Sequence, residues 1–125
     1  MGNDERQKAV KFTDLDAWQY GHRLVVAIYK ETTQWPREEQ FGLVSQVRRA
    51  AVSVTSNIAE GFSRSTKVDK KHFYVMAHGS LTEVQNQLLV ARDVGYMSAA
   101  IFDELAAMTI TVHKLLTGLI KSLKE

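Results

Sequence analysis

Residues 98–123 read SAAIFDELAAMTITVHKLLTGLIKSL, and within them Ile101, Leu105, Met108, Val112, Leu115 and Leu119 recur at alternating steps of four and three. Side chains at those steps lie over one another on one helix face, so the stretch predicts a long helix with a coiled-coil-like packing seam. Upstream, Phe73, Ala77, Leu81, Val84, Leu88 and Ala91 form a second such stripe, flanked by Ser80, Glu83 and Gln87, with Gly95 placed to end that helix. Before it, Leu43, Val47, Ala50, Val54 and Ile58 make a narrow apolar stripe, and Gly61 stands where a left-handed C-terminal cap is expected. Pro36, followed by Glu38 and Glu39, resembles the start of that helix, because proline suits the first turn and acidic side chains suit the positive helix N-terminus. The earliest helix is expected from about Ala17 to Thr33, capped by Asp14 or Asp16, with Leu15, Trp18, Val25, Tyr29 and Thr32 facing the core.

Four helices joined by short links, among them FSRSTKVDKK at 62–71, predict an all-α antiparallel up-down-up-down four-helix bundle. Residues 12–125 are read as its single domain and residues 1–11, of mixed charge and no periodicity, as a flexible N-terminal arm. The composition agrees. A chain of 125 residues that is 45% apolar and 24% charged suits one compact domain, and one proline with seven glycines is sparse punctuation for a β-sandwich. With no cysteine, thiol nucleophiles, disulfides and cysteine-bound metals are excluded together, which suits a reducing cytoplasm. Neither an N-terminal signal stretch nor an apolar run of about 18 residues occurs, so no membrane association is expected. Sixteen Lys and Arg against 14 Asp and Glu leave +2, too little to imply nucleic-acid binding without a local cluster.

The chemistry-bearing patterns are few. A di-iron bundle needs Glu-x-x-His on two helices, and no Glu here has His three residues later. His22, His72, His78 and His113 share no ligand spacing, and His22, on the Trp18 and Val25 stripe, is read as a hydrogen-bonded core histidine. The phosphate-loop, dinucleotide, nucleophile-elbow and zinc-protease motifs are all missing, so no enzymatic activity, metal or cofactor is expected. Two features remain. The cations Arg64, Lys67, Lys70 and Lys71, opposed only by Asp69, form a candidate nucleic-acid patch, for which a solvated bundle end is the plain alternative. On the second helix Ser45, Arg49, Ser53, Ser56 and Glu60 project together, with Gln46 and Asn57 at the edge, against Ser80, Glu83 and Gln87 on the third. Small residues admit close helix approach and an Arg satisfies a facing carboxylate. This motif, with Arg48, is therefore read as an interhelical network or subunit contact rather than as acid–base machinery. Charge-assisted bonds among Arg49, Asn57, Glu60 and Glu83 are expected to tie the two helices or adjacent subunits.

The same residues carry a family resemblance. The stretch WPREEQFGL at 35–43, the block from Ser45 through Arg48, Arg49 and Ala50 to Ser53, and Ser56-Asn57-Ile58-Ala59-Glu60-Gly61 resemble the bacterial four-helix bundle family encoded within 23S rRNA intervening sequences. Phe12-x-x-Leu15-x-x-Trp18 and Gly79-Ser80-Leu81-x-Glu83-x-x-x-Gln87-Leu88 match as well, so the likeness spans about residues 12–120. The chain departs at Trp35, where Phe is usual, and at Val54-Thr55, where Ile-Pro is frequent. The resemblance implies a ring-shaped homo-oligomer, usually a pentamer, with no established reaction. It also implies a distant likeness to accessory proteins of diversity-generating retroelements, which bind a reverse transcriptase and nucleic acid and are far more basic. Self-association is expected from the residues too: Leu24 and Ile28 on the first helix, and Val52 and Ala59 on the second, lie off the expected core stripes and call for a partner. Two readings stand: an oligomeric, non-enzymatic protein that binds RNA or an RNA-handling protein such as a reverse transcriptase, or a homo-oligomeric scaffold with protein partners only.

Overall fold

The computed structural model describes residues 9–124, all-α in this span, with four long helices and no strand. They are α1 (Asp16–Thr32), α2 (Leu43–Ser63), α3 (Lys67–Asp93) and α4 (Ala99–Lys121). Cross-helix pairs fix their directions. Gly21 faces Thr55 while Arg48 reaches Thr32 and Tyr29, so α2 runs back along α1. Gly61 meets Tyr74 while Ser53 meets Ser80, reversing α3 against α2. Gln85 bonds Thr109 and Arg92 stacks on Phe102 while His78 meets His113, reversing α4 against α3. Successive neighbours are thus antiparallel, and α4 closes the bundle against α1.

Each boundary has a local cause. The Thr66 hydroxyl accepts the Asp69 N–H and the Ser98 hydroxyl accepts the Ile101 N–H, capping α3 and α4. At the end of α3 Gly95 takes φ +87°, its N–H donates to the Arg92 carbonyl and the Tyr96 N–H to the Ala91 carbonyl, a Schellman closure that bears out the expected stop. Pro36 does not open α2. Arg37–Glu39 form a single 3-10 turn, and the Glu39 carboxylate accepts the Leu43 N–H (3.0 Å) at the true helix start while accepting the Tyr96 hydroxyl (2.7 Å). Gly61 is no cap either, since it lies buried inside α2, which runs on to Ser63. Lys67 to Lys71, expected in a link, are the opening turns of α3.

The core corrects α1 most. Leu24 and Ile28, expected off the core, are wholly buried, together with Ala17, Gly21 and Thr32. Of the expected stripe, Leu15 and Thr32 are buried, Trp18 and Val25 only half-buried, and Tyr29 is 42% exposed. The helix carries two apolar stripes about 100° apart. Ala17 and Gly21 present almost no side chain on the Leu24 stripe, so α2 and α4 close on that side, whereas Trp18 would hold them apart. The other helices keep their stripes closely: Val47, Ala50, Val54 and Ile58 on α2, Ala77, Leu81, Val84, Leu88 and Ala91 on α3, and Leu105, Val112 and Leu119 on α4 are buried. Tyr74 takes the place expected of Phe73. The arm read at 1–11 lies largely outside the described residues. Its described end is held, because the Val10 and Lys11 N–H groups both donate to the Asp14 carboxylate at 3.0 Å and keep that carboxyl below its usual range.

Candidate functional site

Two of the four cations of the expected nucleic-acid patch are engaged within the chain. Lys70, on the first turn of α3, donates its ammonium to the Phe62 carbonyl (2.7 Å) at the C-terminus of α2, where partial burial pushes its pKa down. Arg64 pairs with Glu60 at 2.5 Å and stacks on Phe73. Lys67 and Lys71 are exposed on the opening turns of α3. Two of the four cations therefore hold helix ends together.

The polar motif divides differently from expectation. Arg48 makes the tie between helices: its Nε donates to the Thr32 hydroxyl (2.8 Å), its terminal nitrogen to the Tyr29 carbonyl (3.2 Å), and its guanidinium lies 4.5 Å over the Tyr29 ring. It thereby bonds the Tyr29 carbonyl in the last turn of α1. Between α2 and α3 the link is neutral, the Ser53 and Ser80 hydroxyls at 2.8 Å, with Asn57 donating back to the Ser53 carbonyl and hydroxyl on its own helix. Glu60 faces Arg64 rather than α3. Arg49 and Glu83 are both exposed, and no bond joins them or ties either to another described residue. The expected charge-assisted tie between α2 and α3 is thus not made within the chain, because the small Ser53 and Ser80 already bring the helices together and leave the longer side chains at the rim.

Arg49, Ser53, Glu83 and Gln87 nevertheless share one place. With Phe41, Ser45, Gln46 and Ala50 they line a cleft of about 410 Å³ between α2 and α3. Ala50 and Ser53 are too short to fill it, and Ser53 with Ser80 closes one end. Phe41 stands at the other end, 91% exposed. The Gln87 Oε1 atom is buried without any hydrogen-bond partner among the described residues. Sequence reasoning did not single out Phe41, whose exposure follows from its place in the turn before α2. The cleft offers donors and acceptors of both charges but no positioned nucleophile–base pair.

Two further clusters lie outside the expected motifs. His22 is exposed and stacks on Trp18 at 4.7 Å, while Phe12 packs edge-on to Trp18 at 5.5 Å, so His22 belongs to a surface aromatic row with Tyr29 rather than to the core. His78 and His113, on α3 and α4, bring their rings to 4.5 Å, and no third His, Asp or Glu joins them as an ion ligand among the described residues. Burial first, then the neighbouring His113, holds the His78 imidazole below its usual value. A depressed histidine pKa means the unfolded chain takes the proton more readily, so this stability is present above about pH 6.5 and is lost as the pH falls further. Melting temperature should therefore drop from about pH 7.5 to about pH 5, and His78→Gln should remove part of that drop. An equal drop in both proteins would place its source elsewhere.

These features define an all-α, antiparallel four-helix protein with a polar cleft on one side and an aromatic row on another. The chain belongs to the 23S rRNA-intervening sequence protein family, whose model matches residues 13–118. Among solved structures it is similar to a Bacteroides thetaiotaomicron protein of unknown function from the S23 ribosomal protein family, at 19% identity and a TM-score of 0.78 over 84% of this chain and 95% of that one. At that identity the likeness speaks for the fold. No curated protein matches the chain significantly. No helix among the described residues is long and apolar enough to cross a membrane.

Proposed function

We propose that the chain is the subunit of a non-enzymatic, cytoplasmic homo-oligomer, a ring of five in keeping with the family resemblance, that acts as a scaffold for protein partners. The observation that carries this reading is the second apolar stripe of α1: Trp18 and Val25 half-buried and Tyr29 exposed, beside Val52, itself 38% exposed one turn along α2 from Arg48. An aromatic and aliphatic row of this kind is the make-up of a subunit contact. Protein partners are favoured over RNA because Lys70 and Arg64 are spent on Phe62, Glu60 and Phe73, and because the net charge is only +2.

Light scattering at micromolar concentration should give a mass several-fold above the 14.1 kDa of one chain, and Val52→Asp should shift it downward while leaving helicity unchanged. A monomer mass for the unaltered protein would remove the reading. Binding to structured RNA that weakens steeply between about 50 and 200 mM salt and is reduced by Lys71→Ala would replace it with the RNA-binding one.

A further inference from the structure

We propose that the cleft between α2 and α3 is the scaffold's peptide-recognition site, taking a short extended segment of a partner protein chiefly by its backbone. This rests on the protein-scaffold reading and names the place where the partner sits. The cleft runs along α2 from Ser45 to Ser53, eight residues that rise about 12 Å, the span of about four residues of extended chain. Its floor is low at Ala50 and Ser53, leaving room for a main chain against the helix surface. The walls match what an extended backbone offers. Arg49 supplies unengaged donors for peptide carbonyls, Glu83 and Gln87 supply acceptors for peptide N–H groups, and Ser45 and Gln46 can do either. Phe41, almost fully exposed at the mouth, presents an apolar surface for one side chain of the segment.

Gln87 points most directly to a ligand. Its Oε1 atom is shut off from solvent and has no partner, a state that costs stability in the free protein and that buried acceptors in folded chains rarely keep. Gln87 itself lines the cleft, so turning its amide about the last side-chain bond would present Oε1 to a peptide N–H entering there. A nucleic acid fits less well, because phosphates drawn to Arg49 would meet the Glu83 carboxylate across the same cleft. A purely apolar helix fits less well too, since seating it would strand Arg49, Glu83 and Gln87 without water.

The test uses a display library of random octapeptides selected on the unaltered oligomer, followed by fluorescence anisotropy with a synthetic copy of a selected sequence. Binding should weaken about tenfold or more with Arg49→Gln and with Gln87→Leu, and should be unchanged with Lys114→Ala, an exposed control on α4. Without peptide, Gln87→Leu should melt about 3 to 6 °C higher, because the orphaned acceptor is gone. A lower melting temperature would show that the acceptor is already satisfied, and a changed oligomer mass in either variant would make the cleft a contact between copies; each outcome overturns the proposal. Peptides that bind all variants equally would remove the cleft and keep the protein scaffold. Failure to select any peptide, together with salt-sensitive RNA binding, would remove both.

Discussion

Leu24→Ala should destabilise the protein by about 2 to 5 kcal/mol, whereas Val25→Ala, one residue away, should cost about 1 kcal/mol or less. Leu24 has no exposed surface and sits among core residues drawn from the whole bundle, so truncation leaves a cavity that the surrounding helices close only in part. Val25 is half-buried on the aromatic row, and the two methyl groups it would lose carry less buried area than the Leu24 side chain, even where a neighbouring subunit covers the row. Against a net stability of about 5 to 15 kcal/mol the first change takes a large share and the second a small one. Urea unfolding of the two variants at one fixed protein concentration measures the difference, the concentration being held because subunit association adds to apparent stability. A larger loss from Val25→Ala would mean that the two stripes of α1 had been assigned to the wrong sides.

That helix shows where periodicity stops being informative. Leu15, Trp18, Val25 and Tyr29 on one side and Ala17, Leu24 and Ile28 on the other both satisfy a helical repeat, and hydrophobicity favours the side with Trp and Tyr. Packing inverts the choice, because closely spaced helices need small residues at the crossing and leave bulky aromatics at the edge. A helix with a single stripe offered no such choice, and α3 follows the sequence almost residue for residue, whereas α2 keeps Val47, Ala50, Val54 and Ile58 but buries Val44, Ala51 and Thr55 beside them and leaves Leu43 half-buried. In α4 the strict four-three seam fades: Met108 and Leu115 are half-buried while Thr109 and Leu116 are buried beside Leu105, Val112 and Leu119. A helix of 3.6 residues per turn drifts away from a 3.5 repeat unless its partners supercoil with it.

The cleft was legible as two polar rows and not as a set of bonds. Arg49, Ser53, Glu83 and Gln87 meet as their helical positions require, yet which of two adjacent arginines finds a partner depends on α1, where Arg48 reaches the Tyr29 carbonyl and the Thr32 hydroxyl. Contacts between residues far apart in the chain carry no periodic signature at all. Glu39 and Tyr96, 57 positions apart, and His78 with His113 are set by the lengths of the helices and the turns between them. The candidate cation patch is divided for a related reason. With Thr66 as a cap and no apolar stripe in KVDKK, the first turn of α3 looks like a link, and a lysine there is free to close the end of α2.

Gly61 gives the sharpest consequence of close packing. A Cβ at this position would lie 2.6 Å from Cε1 and 2.8 Å from Cδ1 of Tyr74, and 3.1 Å from Cβ of Phe73. Tyr74 cannot yield cheaply. Its ring is 2% exposed within the core, and burial pushes its hydroxyl pKa up to about 12. Gly61→Ala gains at most about 1 kcal/mol of helix propensity, the position lying in the last turn of α2. Against that, forcing a methyl group into a packed crossing typically costs about 1 to 3 kcal/mol, and here the helix pair must separate to admit it. The clash should win, giving a net loss of about 1 to 2 kcal/mol for Gly61→Ala and more for Gly61→Val, which adds bulk and lowers helix propensity together. Thermal unfolding followed by circular dichroism orders the three proteins. If Gly61→Ala melts at or above the unaltered protein, α2 and α3 have slack at this crossing, and the close approach assigned to Gly61 is wrong.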